Sequence, residues 1–582
     1  MPETRRTIPA DRPTDFPTFE VLSDGTKLPK KYHVFSFTVS KSINRISYAE
    51  LTLKDGDPAR EDFPLSNTDL FKPGTIIEIK AGYHNENKSI FKGIVIKHGI
   101  KARDGRPSML TVECKDEAVK MTNGRQNRYF TEVTDSEVFE ELIDAYGLTA
   151  EVENTSETHK EMVQYYATDW DFLLARAEMN SQCVLADDGT LIVQKPSLED
   201  STLTLTYGAT ILDFEAEMDA RDQQKAISSS SWDYTTQEVV ESEAEAPTLQ
   251  QAGNISEEEL ADVIGSESVS YRHSGQVGET ELQAWADAAM LKSRLAKIRG
   301  RVRCKGYPEI KPFDTIELAG MGERFNGKVF VSGVRQNYST DRWVTDIEFG
   351  LSPRWFYKEN DVVEQPASGL LPAVNGLQVG VVTQLQDDPA GEDRVLVKLP
   401  VLDAEHEGIW TRVSTLDAGE NRGSFFRPEI GDEVLVGFIN DDPRDPVILG
   451  MMNSSAKPAP AQGSDDNHEK GFVTREELRL WFNDEKKSIA LETPNGNKIT
   501  LSDDEGSIML EDENGNTVTM SSDGISLESA ADIVLKAGGN VNIEGVNVEQ
   551  KASAQFKAEG SAGAEVSTSG TAVLKGSIVQ IN

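Results

Sequence analysis

The sequence predicts a mainly β protein: an α+β first half followed by two all-β modules. Three observations carry this. Short runs alternating apolar and polar residues fill the region from Phe19 to Cys114. Five strand-length runs separated by turn residues lie between Asn375 and Met451, and the last hundred residues repeat an apolar-x-apolar triplet. At roughly 100 to 200 residues per domain, a chain of 582 residues holds several such modules.

In the first region, His33 to Val39, Ile76 to Ile79 and Phe91 to Ile96 are strand signals, and Gly, Pro and Asn clusters at Lys72 to Gly74 and Gly82 to Asn87 punctuate them, which gives a barrel or sandwich. From Thr134 to Tyr146 the pattern changes. Acidic residues open the segment, Val138, Leu142 and Ile143 share a face and Gly147 closes it, so a short capped helix is expected. A second helix is expected over Asp169 to Asn180, then a hairpin turning at Asp188-Gly189. The stretch from about Ser229 to Ser270 is acidic and poor in large apolar residues, and is expected to be a partly mobile surface excursion. A helix from Glu279 to Ile298 and further strands through Gly350 follow. The chain changes module around Pro366 to Pro372. Leu377 to Val382, Val395 to Leu399, Ile409 to Val413, Val434 to Ile439 and Val447 to Leu449 then suit a small barrel of the OB-fold kind. Asn453 to Asn467 is a Pro/Ala/Ser-rich linker.

The C-terminal triplets run Ile489/Leu491, Ile499/Leu501, Ile508/Leu510, Val518/Met520, Ile525/Leu527, Ile533/Leu535, Val541/Ile543 and Val546/Val548, followed by Ala554/Phe556, Ala564/Val566 and Ile578 to Ile581. The first seven start 10, 9, 10, 7, 8 and 8 residues apart, with Asn495-Gly496, Asn514-Gly515, Asp523-Gly524 and Gly538-Gly539 between triplets, so each repeat holds one strand and one turn. One strand per repeat cannot close a rung of a β-helix within one chain. Closure by three copies is expected, with the two apolar positions of each strand inward and the middle residue outward; about eleven strands at ~4.8 Å per layer give a needle on the order of 50 Å long. A meander of hairpins on one chain is the alternative, but the Gly/Ala/Ser-rich stretch from Gln550 to Gly576 offers too few large side chains for a single-chain core.

Composition excludes several classes of function. The formal charge of −39 repels nucleic-acid phosphate and anionic lipid. Mean hydropathy is −0.44, and no apolar run approaches the ~20 residues that span a bilayer. The start of the chain lacks a charged-then-apolar export signal. Cys114, Cys183 and Cys304 are distant and odd in number, which suits a reducing cytoplasm. None of His33, His84, His98, His159, His273, His406 and His468 forms a close ligand pair; His84 and His98 are expected on different strands as surface imidazoles. Phosphate-loop, zinc-protease and Cys-x-x-Cys motifs are absent, so no metal, cofactor or catalytic residue is expected. Asp503, Asp504, Glu511, Asp512 and Glu513 are numerous enough to raise glycoside hydrolysis, but they fall in or beside turns without aromatic residues for sugar stacking.

Three stretches resemble the VgrG-type spike proteins of type VI secretion systems, the fused hub and central spike of contractile phage-tail-like machines. They are Met162 to Arg176; Ile310 to Leu318 with Phe325 to Arg335 and Trp343 to Gly350; and Trp410 to Val413 with Phe426 to Val436 and Gly437 to Gly450. Arg335-Gln336 departs from the Arg-His pair often seen there and suggests a divergent branch. The resemblance implies an N-terminal extension (1–18), a hub with two tube-like barrels (19–365), an OB-fold (373–452), a linker (453–471) and a triangular trimeric β-helix (472–582). The family can carry a domain between OB-fold and needle or an effector after it; here the stretch from Met452 to Phe472 is too short to hold a domain, and no appended effector is expected. It implies a non-enzymatic homotrimeric spike whose partners are an Hcp-type inner-tube hexamer, a PAAR-type tip protein, baseplate proteins and effectors. Such a spike is assembled in the bacterial cytoplasm and is secreted or injected on contraction. Gln580, Ile581 and Asn582 are the expected docking face for the tip protein. The alternatives are the spike of an extracellular particle or prophage tail, a trimeric surface-binding fibre and a polysaccharide hydrolase.

Overall fold

The computed structural model describes residues 16–265, 267–339, 342–403 and 405–581. They fall into two compact units, one reaching to Asn375 and including Asn440–Pro443, the other formed by Gly376–Ile439 and the chain from Arg444 onward.

Alternation builds the first unit. In the strand Val34–Ser42, the side chains of Phe37, Val39 and Lys41 are buried and their neighbours are not. Strands of this kind form one 13-stranded sheet. The halves expected as two tube-like barrels keep separate cores, one around Phe37, Leu51, Phe71 and Phe91 and the other around Leu205, Val302, Val331 and Ile347. They are joined edge to edge, since Gly327–Ser339 pairs antiparallel with Val34–Ser42 from Gly333 opposite Ser42 to Ser339 opposite Ser36. Buried Gln336, at the position of the family departure, accepts from Trp343 Nε1 (2.9 Å) and Thr345 Oγ1 (2.6 Å) and donates to the Tyr307 carbonyl (2.8 Å). The first strand, Pro17–Ser23, takes in the last two residues of the expected extension, whose residues 1–15 lie outside the described ones.

A third core, with Phe139, Leu142, Trp170, Leu173 and Val184, gathers the two expected helices. Thr134 and Glu137 form a reciprocal capping box on Asp135–Asp144, and Thr168 caps Asp169–Met179. Asp188 and Gly189, at φ 57° and 93°, make the two-residue turn between Cys183–Asp187 and Thr190–Gln194. Two ion clusters tie the layers. Lys41 Nζ bonds Asp187 and Asp188 at that turn, and Lys311 Nζ reaches Asp187 at 2.7 Å. Asp135 is gripped by Arg176 (2.7 and 2.9 Å), His159 (2.9 Å) and Asn180 (3.0 Å). Of the two histidines expected as surface imidazoles on different strands, His84 is exposed but lies in a turn at φ 54°, whereas His98 is on a strand and half-buried between the Ser66 hydroxyl and the Phe71 carbonyl.

The acidic stretch is not a loose excursion. It forms a three-stranded sheet in the order Glu238–Glu243, Ala226–Asp233, Ser268–His273, with the helix Glu257–Ile264, and the sheet packs on Glu279–Leu295. Ile227 supplies one apolar contact. Ser229 and Ser231 donate to the Leu282 and Val277 carbonyls (2.7 and 3.1 Å), so small hydroxyls seat the sheet where composition suggested too little apolar surface.

The second unit opens with a closed five-stranded barrel of Gln378–Gln384, Val395–Lys398, Ile409–Val413, Pro446–Met451 and Glu433–Phe438, filled by Val382, Val395, Val397, Val434, Val436 and Ile448. All five expected strands are present. Among the described residues, no helix is long and apolar enough to cross a membrane.

Candidate functional site: an apolar face on the C-terminal sheet

Seven five-residue strands follow, Glu469–Val473, Arg479–Asn483, Ser488–Glu492, Lys498–Ser502, Ser507–Glu511, Thr517–Ser521 and Gly524–Glu528, each antiparallel to the next. Over this stretch the chain therefore pairs with itself as a hairpin meander, the alternative that the sequence reading set aside. Turn chemistry is the reason. Gly496 and Gly515 take φ of 93° and 82°, and the Asp512 carboxylate accepts from the Asn514 and Asn516 amides and from Asn516 Nδ2 (2.9, 2.8 and 2.7 Å). Hydrogen bonds from the Asn516 side chain and backbone hold Asp512 at a pKa of about 2. A general acid needs the opposite shift. The sheet also starts earlier than expected, at Glu469, inside the linker. Leu480 and Phe482 form a rung that triplet counting missed, because Trp481 between them hides the alternation.

Register gathers the triplets into two rows. One runs Phe472, Leu480, Leu491, Ile499, Leu510, Val518, Leu527, and the other Phe482, Ile489, Leu501, Ile508, Met520, Ile525. Cross-strand partners and i, i+2 residues share a face, so all thirteen lie on one side, and Trp481, Ala490, Thr500, Met509, Thr519 and Ser526 lie on the other. The apolar side is not covered within the chain: Ile499 is 39% and Ile525 72% exposed. A groove of about 730 Å³ runs along it, floored by Leu491, Ile499, Leu510, Val518 and Leu527. A soluble monomer rarely exposes so large an apolar patch, so the face has the character of half an interface.

Beyond Glu528 the triplets continue, but residues 529–581 form no strand and Val541, Ile543, Val546 and Val548 are exposed. Of the expected tip residues, Gln580 and Ile581 lie in no strand, Ile581 is 85% exposed, and Asn582 is outside the described residues. No cluster of His, Cys, Asp and Glu that could hold a metal ion occurs among the described residues.

Three families match in chain order. Residues 13–340 match the Alg8 N-terminal domain, 378–452 the type VI secretion system/phage-baseplate injector OB domain, and 488–582 the phage baseplate V C-terminal trimerisation domain. The chain is 32% identical over 112 residues to the type VI secretion system spike protein VgrG1b of Pseudomonas aeruginosa, a match covering 18% of this chain and 15% of that protein. It is 33% identical over 100 residues to the type VI secretion system spike protein VgrG3 of Vibrio cholerae, covering 15% and 9%. Those matches span only a small part of either relative. Among solved structures, the Escherichia coli c3393 protein, a component of the type VI secretion system, aligns over 74% of this chain and 99% of its own at 13% identity and a TM-score of 0.37. The 43 kDa tail protein of Shewanella oneidensis prophage MuSo2 aligns over 58% and 98% at 11% identity and a TM-score of 0.44.

Proposed function

We propose that this chain, which belongs to the Alg8 N-terminal domain family over more than half its length and to the VgrG-type spike proteins, is the homotrimeric spike at the tip of a contractile injection machine. The observation that carries the trimer is the pair of apolar rows. Three copies turning these faces toward a common axis bury thirteen side chains each, and the turn carboxylates stay in water. The name of the matching 488–582 family, a trimerisation domain, supports the same assembly.

In this reading, residues 19–365 form the hub that meets an Hcp-type inner-tube hexamer, 373–452 the OB-fold, and the sheet from Glu469 onward the base of the needle. Gln580, Ile581 and Asn582 receive a PAAR-type tip protein, and effectors travel on the assembly. The spike works as a rigid body without catalytic chemistry; along the needle base each strand of the meander pairs with the next, which leaves few sheet edges free on a body that must pierce an envelope. Deleting the gene tests this. Inner-tube protein disappears from the culture medium, and a copy carrying Leu501→Glu and Ile508→Glu does not restore it. Release at the wild-type level from the deletion strain would refute the spike role. Intact sheathed particles in the medium, in place of free tube protein, would assign the spike to an extracellular particle.

A further inference from the structure

We propose that the open edge of the strand Glu238–Glu243 docks an extended basic segment of another protein, which adds to the sheet as a fourth strand. Ala226–Asp233 is the central strand, so Glu238–Glu243 is an edge. The Ala244 amide donates to the Ile227 carbonyl at 2.8 Å. Counting from that pair in steps of two, Ser242, Val240 and Glu238 exchange bonds with Ser229, Ser231 and Asp233, which leaves the amides of Val239, Glu241 and Glu243 pointing off the sheet; at the end of this edge the Glu243 carbonyl accepts from Gln283 Nε2 (2.8 Å). The side chains of these three residues stand on the face that also carries Trp232, which lies directly opposite Val239.

The tip of the hairpin is built to display apolar groups. Trp232 is 40% exposed, and Tyr234 and Val239 are 65% exposed. Asp233 Oδ1 accepts from the Thr235 amide (2.8 Å) and Gln276 Nε2 (2.9 Å), and Gln237 Nε2 donates to the Tyr234 carbonyl (2.8 Å). The two aromatic residues are therefore held in place before a partner arrives, which lowers the ordering cost of binding.

Charge complementarity selects the occupant. From Asp233 to Glu267 there are ten Asp and Glu residues and no Lys or Arg. Glu257 is paired with Lys297, and Asp262 and Glu267 with Lys225, whereas Glu241 and Glu243 form no ion pair among the described residues. Arg272 stands on the far strand in the same row as Glu241, across Ser230. An added strand sets alternate side chains beside Glu241 and Glu243, where lysine or arginine completes the pairs, and an apolar residue further along covers Val239 and Trp232. A second copy of this edge would bring glutamate against glutamate.

The test is hydrogen exchange at single-residue resolution on the full chain, with a seven-residue peptide alternating lysine and valine and a control alternating glutamate and valine. The lysine peptide protects the amides of Val239, Glu241 and Glu243, and the control does not. Its affinity falls about tenfold in Glu241→Gln/Glu243→Gln, a loss of about 1.4 kcal/mol, and is unchanged in Asp503→Asn/Asp504→Asn on the C-terminal sheet. Unprotected edge amides, or equal affinity in the Glu241→Gln/Glu243→Gln variant, would overturn the proposal. Protection that grows with protein concentration in the absence of peptide would overturn it too, by making a second copy the occupant. Failure here leaves the spike reading intact, because neither the apolar rows nor the tip enters it.

Discussion

Asp135 shows how much structural work one carboxylate does. It opens a helix with its side chain about 1% exposed, and burial alone would raise its pKa. Hydrogen bonds from His159 and Arg176 outweigh that and hold the group well below the usual carboxylate range. The stability it contributes is complete above the unfolded pKa near 3.8 and is lost as pH falls through the lower folded value. Asp135→Asn leaves Arg176 buried without its full partner and costs about 3 kcal/mol at pH 7. Thermal melts from neutral to acid pH check this: the gap between wild type and variant is flat at neutral pH and narrows below 3.8. A gap independent of pH would place the effect in packing instead. Lys41 follows the same logic. Burial would lower its pKa, but Asp188 and Asp187 raise it, and Lys41→Met, which leaves buried Asp187 with Lys311 alone and Asp188 with only the Lys92 amide, costs about 3 kcal/mol in denaturant unfolding. Neither role was legible in the sequence. In the alternating run from Val34 to Ser42, Lys41 occupies an inward position that only the ion partners explain.

At the scale of elements, legibility followed the strength of local chemistry. The Thr134/Glu137 box, the Asp188-Gly189 turn and the five barrel strands could be read directly, because caps, turns and apolar alternation are short-range signals. The sheet at Ala226–Asp233 could not, since serine hydroxyls bonding to the backbone of the helix and of the turn before it leave no apolar period. The C-terminal triplets gave the correct face but not the pairing partner: a period of two says which side a residue faces, and the turns decide which strand comes next. Gly496 is the point at which to test that division. A Cβ there meets nothing, so Gly496→Val acts through its positive φ alone and lowers the sheet's stability by about 1 to 2 kcal/mol. Gly496→Asn costs less, because asparagine tolerates the left-handed region. Equal melting of both variants and wild type would show that the turn does not set the meander.

For the whole molecule, charge and apolar surface work in opposition. One chain carries −39, and in the proposed trimer three copies at −39 each would carry −117, enough charge to keep a β-rich assembly in solution while its apolar rows associate. Leu501→Glu with Ile508→Glu places charge at adjacent positions of one row in every copy, and dissociation to monomers is expected in sedimentation velocity. The most direct test of the account is the native mass of the full chain at low micromolar concentration. Three copies of a 64.0 kDa chain, a species three times that mass, is the predicted result, and a 64.0 kDa monomer under the same conditions would contradict it.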